Sequence, residues 1–184
     1  DYTYAQLVEL AAKEVNPFAT LIYVDASIFI HAGGMIERIQ RFAKNTNQPI
    51  PTTAGQLAQT VFASLALQYA KTCETLSACS NLLMPAIHIV GGGSQNAHLC
   101  QLTADISNRQ VIAGPVEATA MGNAMVQAIA LGMQPHLTDT ISARALIESS
   151  NLGLKKYEPS KAADPNTIAQ VRTRYEKLTL EDMR

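Results

Sequence analysis

The sequence predicts an α/β domain, helix-rich, with a short parallel sheet. Apolar residues recur at helical spacing over most of the 184 residues, the main signal of amphipathic helices. Short apolar runs of strand type stand at 86–90 and 111–113. The stretch between them, 95–106, is itself helical in pattern. Strands joined by a helix of that length are parallel and neighbouring.

The elements follow in chain order. Thr3 and Gln6 have the spacing of a capping box, and Leu7, Leu10 and Ala11 continue a helix over 4–14 that Asn16-Pro17 ends. Residues 18–34 are irregular and close on Gly33-Gly34. Ile36, Ile39 and Ala43 mark a helix over 35–44, and a polar loop with Pro49 and Pro51 follows. Thr53 and Gln56 repeat the capping-box spacing and open the longest helix, to about residue 77, with Leu57, Val61, Leu65 and Tyr69 as its apolar stripe. Beyond the strand–helix–strand unit, 117–131 reads as a small-residue helix ended by Gly132. Weaker helical patterns cover 138–149 and 165–178, and 153–159 is extended or loop. The chain thus divides into a helical part (1–85), a strand–helix–strand–helix core (86–132) and a helical tail (133–184).

Composition bounds the function. Hydrophobic residues make up 47% and charged residues 16%, and the formal net charge is −1. These are ordinary values for one globular domain with a real core. No basic patch points to nucleic acid, and no apolar run is long enough to span a membrane. Cys73, Cys79 and Cys100 fit neither a disulfide framework nor zinc spacing, and are expected to be reduced, buried thiols of a cytoplasmic protein.

Residues 88–98, His-Ile-Val-Gly-Gly-Gly-Ser-Gln-Asn-Ala-His, are the most informative stretch. A strand stops at Gly91, Gly92 and Gly93, and a helix is expected to start at Ser94. Bare N–H groups at a helix N-terminus, aided by the helix dipole, favour a phosphate. A tight turn without a ligand is the competing reading. A dinucleotide fingerprint is disfavoured: Asn96 stands where the third glycine belongs, and Gly114-Pro115 follow the next strand where an acid is wanted. No Gly-Lys-Ser/Thr follows, so the turn is not a P-loop.

Other polar residues suggest less. Glu117 reads as a first-turn acid favoured by the helix dipole. Gly122, costly within a helix, is expected where another element approaches closely. His31, His88, His98 and His136 share no ligand spacing, and His98 is expected in a surface or capping role. Asp105, Asp139 and Asp164 are expected to be solvated or capping. No catalytic residue and no metal ligand is assigned.

Three segments together resemble the C-terminal domain of the FGGY carbohydrate kinases: His88-Ile-Val-Gly-Gly-Gly-Ser-Gln-Asn96, Gln101-Leu-Thr-Ala-Asp105, and Val111-Ile-Ala-Gly-Pro-Val-Glu-Ala-Thr-Ala-Met-Gly-Asn123. Phe18-Ala-Thr-Leu-Ile22, Gln48-Pro-Ile-Pro51, Ser64-Leu-Ala-Leu-Gln-Tyr-Ala70 and Tyr157-Glu-Pro159 resemble the rhamnulokinase branch. Asp25-Ala-Ser27 departs from it, where Asp-Asp-Pro is expected.

The resemblance implies an actin-like, ribonuclease-H-like ATPase fold whose two domains close on ATP and a sugar. It implies transfer of the ATP γ-phosphoryl group to a ketose, L-rhamnulose above all, with Mg²⁺. Carried over, Gly91, Gly92 and Gly93 lie against the nucleotide's α-phosphate and sugar, and Asn96 approaches the adenine. The family's catalytic aspartate, its sugar contacts and its Trp-containing phosphate hairpin have no counterpart here, and the chain contains no Trp. The chain begins at Asp1, and the strands are few for a parallel sheet. A C-terminal fragment, inactive alone and able to self-associate through its exposed sheet edges, is therefore expected. A non-catalytic nucleotide-binding or interaction module, or a kinase for xylulose or fuculose, stays open as an alternative.

Overall fold

The structure is a computed structural model that describes residues 2–133, 136, 138–150, 153–160 and 164–182. Helices α1 (Tyr4–Ala12), α2 (Met35–Asn45) and α3 (Ala54–Ser80) precede strand β1 (Ala86–Ile89). Helix α4 (Ala97–Ser107), strand β2 (Gln110–Ala113) and helices α5 (Ala118–Ala130) and α6 (Thr140–Ser149) follow. Strand β3 (Lys155–Tyr157) and helix α7 (Pro165–Asp182) complete the described elements.

Both predicted capping boxes form. Thr3 and Gln6 exchange side-chain and backbone hydrogen bonds at the start of α1, and Thr53 and Gln56 do so at the start of α3. A third box, from Asp139 and Ser142, opens α6. Asp164 accepts the N–H groups of Asn166 and Thr167 at the start of α7. Asp105 accepts from Gln101 and from the Ser160 N–H, and so ties α4 to the loop after β3.

The sheet is mixed, which corrects the expectation of a parallel one. β1 and β2 pair in parallel, with Ile87 opposite Val111. β3 pairs antiparallel on the far side of β2, giving the order β1-β2-β3. Its sequence, Lys-Lys-Tyr, is too short and too charged to show an apolar run. Such composition is tolerated at a sheet edge, where charge also discourages unwanted pairing.

The main core surrounds α3. Ala63, Ala66 and Ala70, all nearly inaccessible, pack with Leu21 and Ile22, with Leu99, Leu102 and Ile106 of α4, and with Val171, Tyr175 and Leu178 of α7. The expected stripe of Leu57, Val61, Leu65 and Tyr69 is only partly buried. The deeply buried face is the small-residue one, because only short side chains let neighbouring helices come close. A smaller cluster of Ile89, Cys100, Ala104, Val111 and Ala113 glues α4 to one face of the sheet.

The irregular segment before α2 is held by side chains rather than by a ladder. Ser64 accepts the Ile22 N–H at 2.9 Å, and Gln48 bonds both the N–H and the carbonyl of Leu21. Gln59 donates to the Pro17 carbonyl, and Arg174 of α7 donates to the carbonyls of Phe18 and Ala19. Among the described residues no buried side-chain nitrogen or oxygen lacks a partner, as buried polar groups require.

Two further expectations change. Cys73 and Cys100 are buried but Cys79 is exposed, on the last turns of α3. Among the described residues a Cβ added at Gly122 would meet nothing within 4 Å, so no close approach among them explains that glycine. Helix α5, although apolar, buries none of its residues.

Gly55 marks the tightest helix contact. A Cβ there would stand 2.5 Å from the Glu14 carboxylate and 3.1 Å from the Leu10 carbonyl. Gly55→Val should push α1 off α3 and destabilise the chain by about 1–3 kcal/mol, the usual cost of overpacking, read as a lowered midpoint in urea unfolding.

Candidate functional site

The parallel strands end side by side, and their carboxyl ends carry the two loops that matter. Ligands of open α/β sheets bind at such ends. The loops are laced together: the Gly114 N–H donates to the Ile89 carbonyl at 2.8 Å, and the Gly91 N–H donates to the Pro115 carbonyl at 3.2 Å. Gly91 has φ of 72° and Gly114 of 107°, backbone that a side chain would strain. The lacing therefore depends on glycine at both positions.

The glycines adopt a 3₁₀ turn, Gly91–Gln95, and α4 begins only at Ala97. This moves the expected helix start from Ser94 to Asn96. The reason is local. The Ser94 hydroxyl turns back and donates to the Gly91 carbonyl at 2.6 Å, while Asn96 Oδ1 accepts the Leu99 N–H at 2.9 Å and forms the N-cap. The Asn96 N–H, one of the amides expected to be bare, donates to the Gly93 carbonyl at 3.1 Å and is already satisfied. The backbone offered to solvent is that of the turn itself, where Gly92 is exposed and Gly91 and Gly93 are half-buried. Val90, Gln95, Val116 and Glu117 complete the exposed rim. Glu117 is the N-cap residue of α5 and makes no side-chain capping bond.

The three glycines differ in what constrains them. Gly91 has its positive φ, and a Cβ on Gly93 would touch Ile89 at 3.6 Å. A Cβ on Gly92 would meet nothing within 4 Å, and its φ lies outside the left-handed region. Nothing among the described residues demands glycine there.

Asn96 is 1% exposed. Its Nδ2 donates to the Tyr4 phenol oxygen at 3.0 Å, a contact that no sequence spacing could reveal across 92 residues. His98, expected at the surface, is half-buried between α3 and α4. Its Nε2 lies 2.7 Å from Gln59 Oε1, and its ring meets Phe62 edge-on at 6.3 Å. Burial pushes the His98 pKa below its ordinary value. Among the described residues no group of three or more His, Cys, Asp or Glu side chains is placed to hold a metal ion, and no helix is long and apolar enough to cross a membrane.

The model of the FGGY family of carbohydrate kinases, C-terminal domain, matches residues 2–131. A rhamnulokinase of Bacillus subtilis is 39% identical over 170 residues, covering 92% of this chain and 34% of the relative. A rhamnulokinase of Mannheimia succiniciproducens is 46% identical over 125 residues, covering 68% of this chain and 26% of the relative. Among solved structures, a xylulose kinase from Rhodospirillum rubrum superposes with a TM-score of 0.60 at 18% identity, over 98% of this chain and 35% of its own. A Plasmodium falciparum glycerol kinase, solved with ADP, does so with a TM-score of 0.65 at 14% identity, over 99% of this chain and 34% of its own. The chain thus spans about a third of the length of the curated relatives it matches first, and its helix-rich α/β architecture is that of the actin-like, ribonuclease-H-like sugar kinases.

The buried histidine sets a pH dependence. A neutral His98 with a lowered folded pKa binds fewer protons than the unfolded chain, so its contribution is present above the unfolded value of 6.5 and is lost as pH falls through it. Unfolding free energy should therefore drop between pH 7.5 and 5.5 (about one unit either side of that value), and His98→Gln should flatten the drop, as followed by urea titrations at each pH.

Proposed function

The chain belongs to the FGGY family of carbohydrate kinases, and from that premise we propose that it supplies the nucleotide wall of an L-rhamnulose kinase. The reaction proposed is transfer of the γ-phosphoryl group of ATP to the 1-hydroxyl of L-rhamnulose. The rhamnulokinase names of its relatives support the sugar. The laced glycine turn at the carboxyl ends of β1 and β2 supports the nucleotide, and this observation carries the reading.

On this reading Gly91, Gly92 and Gly93 lie against the nucleotide. Gly91 shapes the turn and Gly92 leaves room for close approach. Asn96 orders the turn from beneath: with its side chain buried and bonded to Tyr4 and to the Leu99 N–H, it acts on the adenine only by shaping the turn. Mg²⁺ would enter on the ATP phosphates, since in phosphoryl-transfer sites the substrate phosphates and waters supply most of its ligands. Phosphoryl transfer runs on positioning and electrostatic stabilisation with a placed base. The family's catalytic aspartate and sugar contacts have no assigned counterpart in this chain, so we expect no turnover from it alone. Cytoplasmic placement and self-association through the outer edge of β1 belong to the same proposal.

The test is calorimetric titration with ADP, beside a chimaera in which this chain replaces the matching third of the Bacillus subtilis rhamnulokinase. ADP should bind with a dissociation constant at or below about 1 mM, in the range of ordinary substrates. The chimaera should phosphorylate L-rhamnulose, while the chain alone, given ATP and the sugar, should not. A folded chain that ignores ADP would falsify the nucleotide reading.

Gly92 gives the sharper mutational outcome. Gly92→Val should leave the melting temperature within about 2 °C of wild type, because the added atoms meet only solvent. ADP affinity should fall by roughly tenfold or more, corresponding to about 1.4 kcal/mol.

A further inference from the structure

We propose, resting on the nucleotide reading above, that Tyr4 is a positioning residue for the glycine turn and acts through Asn96. Asn96 is nearly inaccessible, yet both ends of its amide are satisfied within the chain. Oδ1 holds the Leu99 N–H and starts α4. Nδ2 holds the Tyr4 oxygen. With one bond at each end, the amide has a single orientation. The Asn96 backbone N–H in turn donates to the Gly93 carbonyl at 3.1 Å, so the orientation of Asn96 is passed directly to the glycine turn.

Tyr4 is itself well placed. It opens α1 directly behind the Thr3–Gln6 capping box, which fixes its backbone. Its ring packs edge-to-face on Phe62 of α3, with centroids 6.4 Å apart and planes at 77°. The phenol oxygen is thereby located by the packing of α1 on α3. The side chain remains 54% exposed, so it is no core residue. Phenylalanine would make the same ring contact, and the hydroxyl adds one thing among the described residues, the bond to Asn96. A bond of that kind adds little to global stability. It orders a loop before its ligand arrives, which lowers the cost of binding.

The test compares ADP binding by the wild-type chain, Tyr4→Phe, Asn96→Ser and the double variant. Serine is as good an N-cap as asparagine but is too short to reach the Tyr4 hydroxyl. Each single variant should bind ADP about three- to tenfold more weakly, the scale of one hydrogen bond. The double variant should be no weaker than the weaker single, and melting temperatures should shift by only about 4 °C or less. Amide resonances of Gly91, Gly92 and Gly93 should move in both single variants. Wild-type affinity in both singles overturns the role of Tyr4 and leaves the nucleotide reading standing. Additive losses in the double variant also overturn it, since Tyr4 would then act without Asn96. Failure of the wild-type chain itself to bind ADP removes the nucleotide reading, and this proposal falls with it.

Discussion

The small-residue face of α3 is the constraint from which the other arrangements follow. Ala63, Ser64, Ala66 and Ala70 are all at or near zero exposure, and Gly55 lies where a Cβ would stand only 3.1 Å from the Leu10 carbonyl. Short side chains lose almost no rotamer freedom on burial, and they bring helix axes close enough for many dispersion contacts. Helices α1 and α4 both pack against α3. The irregular segment before α2 hangs from it as well, through Ser64 and Gln59. Helix α7 is tied to it by Tyr175 on Gln68 and by Lys71 on Thr179.

That packing reaches the candidate site by two routes. One runs through α4, whose Cys100 and Ala104 bury against the sheet and fix β1 and β2 in register. The strands then deliver their carboxyl ends together, and the paired bonds between the 91 and 114 loops close them into one edge. The other route runs through α1 and Tyr4 to Asn96, beneath the same turn. The glycine turn is thus fixed from the strand side and from the helix side, while its outer surface stays open.

Much of this was legible in the sequence, and the reasons differ by element. The capping boxes at Thr3 and Thr53 were readable because their partners lie three residues away, and local chemistry decides them. The parallel pairing followed from two apolar runs with a helix between. What the sequence did not disclose depended on distant partners. β3 is a strand only because β2 has a free edge for Lys155, Lys156 and Tyr157 to join. The buried face of α3 is wider than the expected stripe: Leu57, Val61, Leu65 and Tyr69 pack against the core while only partly covered, and the small residues Ala63, Ala66 and Ala70, which carry no strong apolar signal, are the most deeply buried. The start of α4 shifted because Ser94 bonds backwards and Asn96 forwards. Spacing alone cannot choose between those two bonds. The burial of His98 likewise depends on Phe62 and Gln59, far away in the chain.

The charge of the rim bears on which part of a nucleotide the wall would meet. At the turn its exposed side chains are Val90, Gln95, Val116 and Glu117, of which Glu117 alone is charged, while Arg144 and Lys156 line the cavity that Val90, Gly114 and Pro115 border. A triphosphate lying over the turn itself would meet that carboxylate, with backbone dipoles to hold it, whereas phosphates reaching the neighbouring cavity would meet Arg144 and Lys156. Adenine and ribose carry no such penalty, and apolar Val90 and Val116 with the bare surface of Gly92 suit a flat, neutral group. On the proposed reading the wall therefore grips the nucleoside end and touches the first phosphate. The terminal phosphates extend away from it, toward whatever supplies their positive charge. A wall of this kind contributes by holding its shape. That accounts for a site whose most specific features are two glycines of positive φ, a laced pair of loops and a buried asparagine, with no reactive side chain among them.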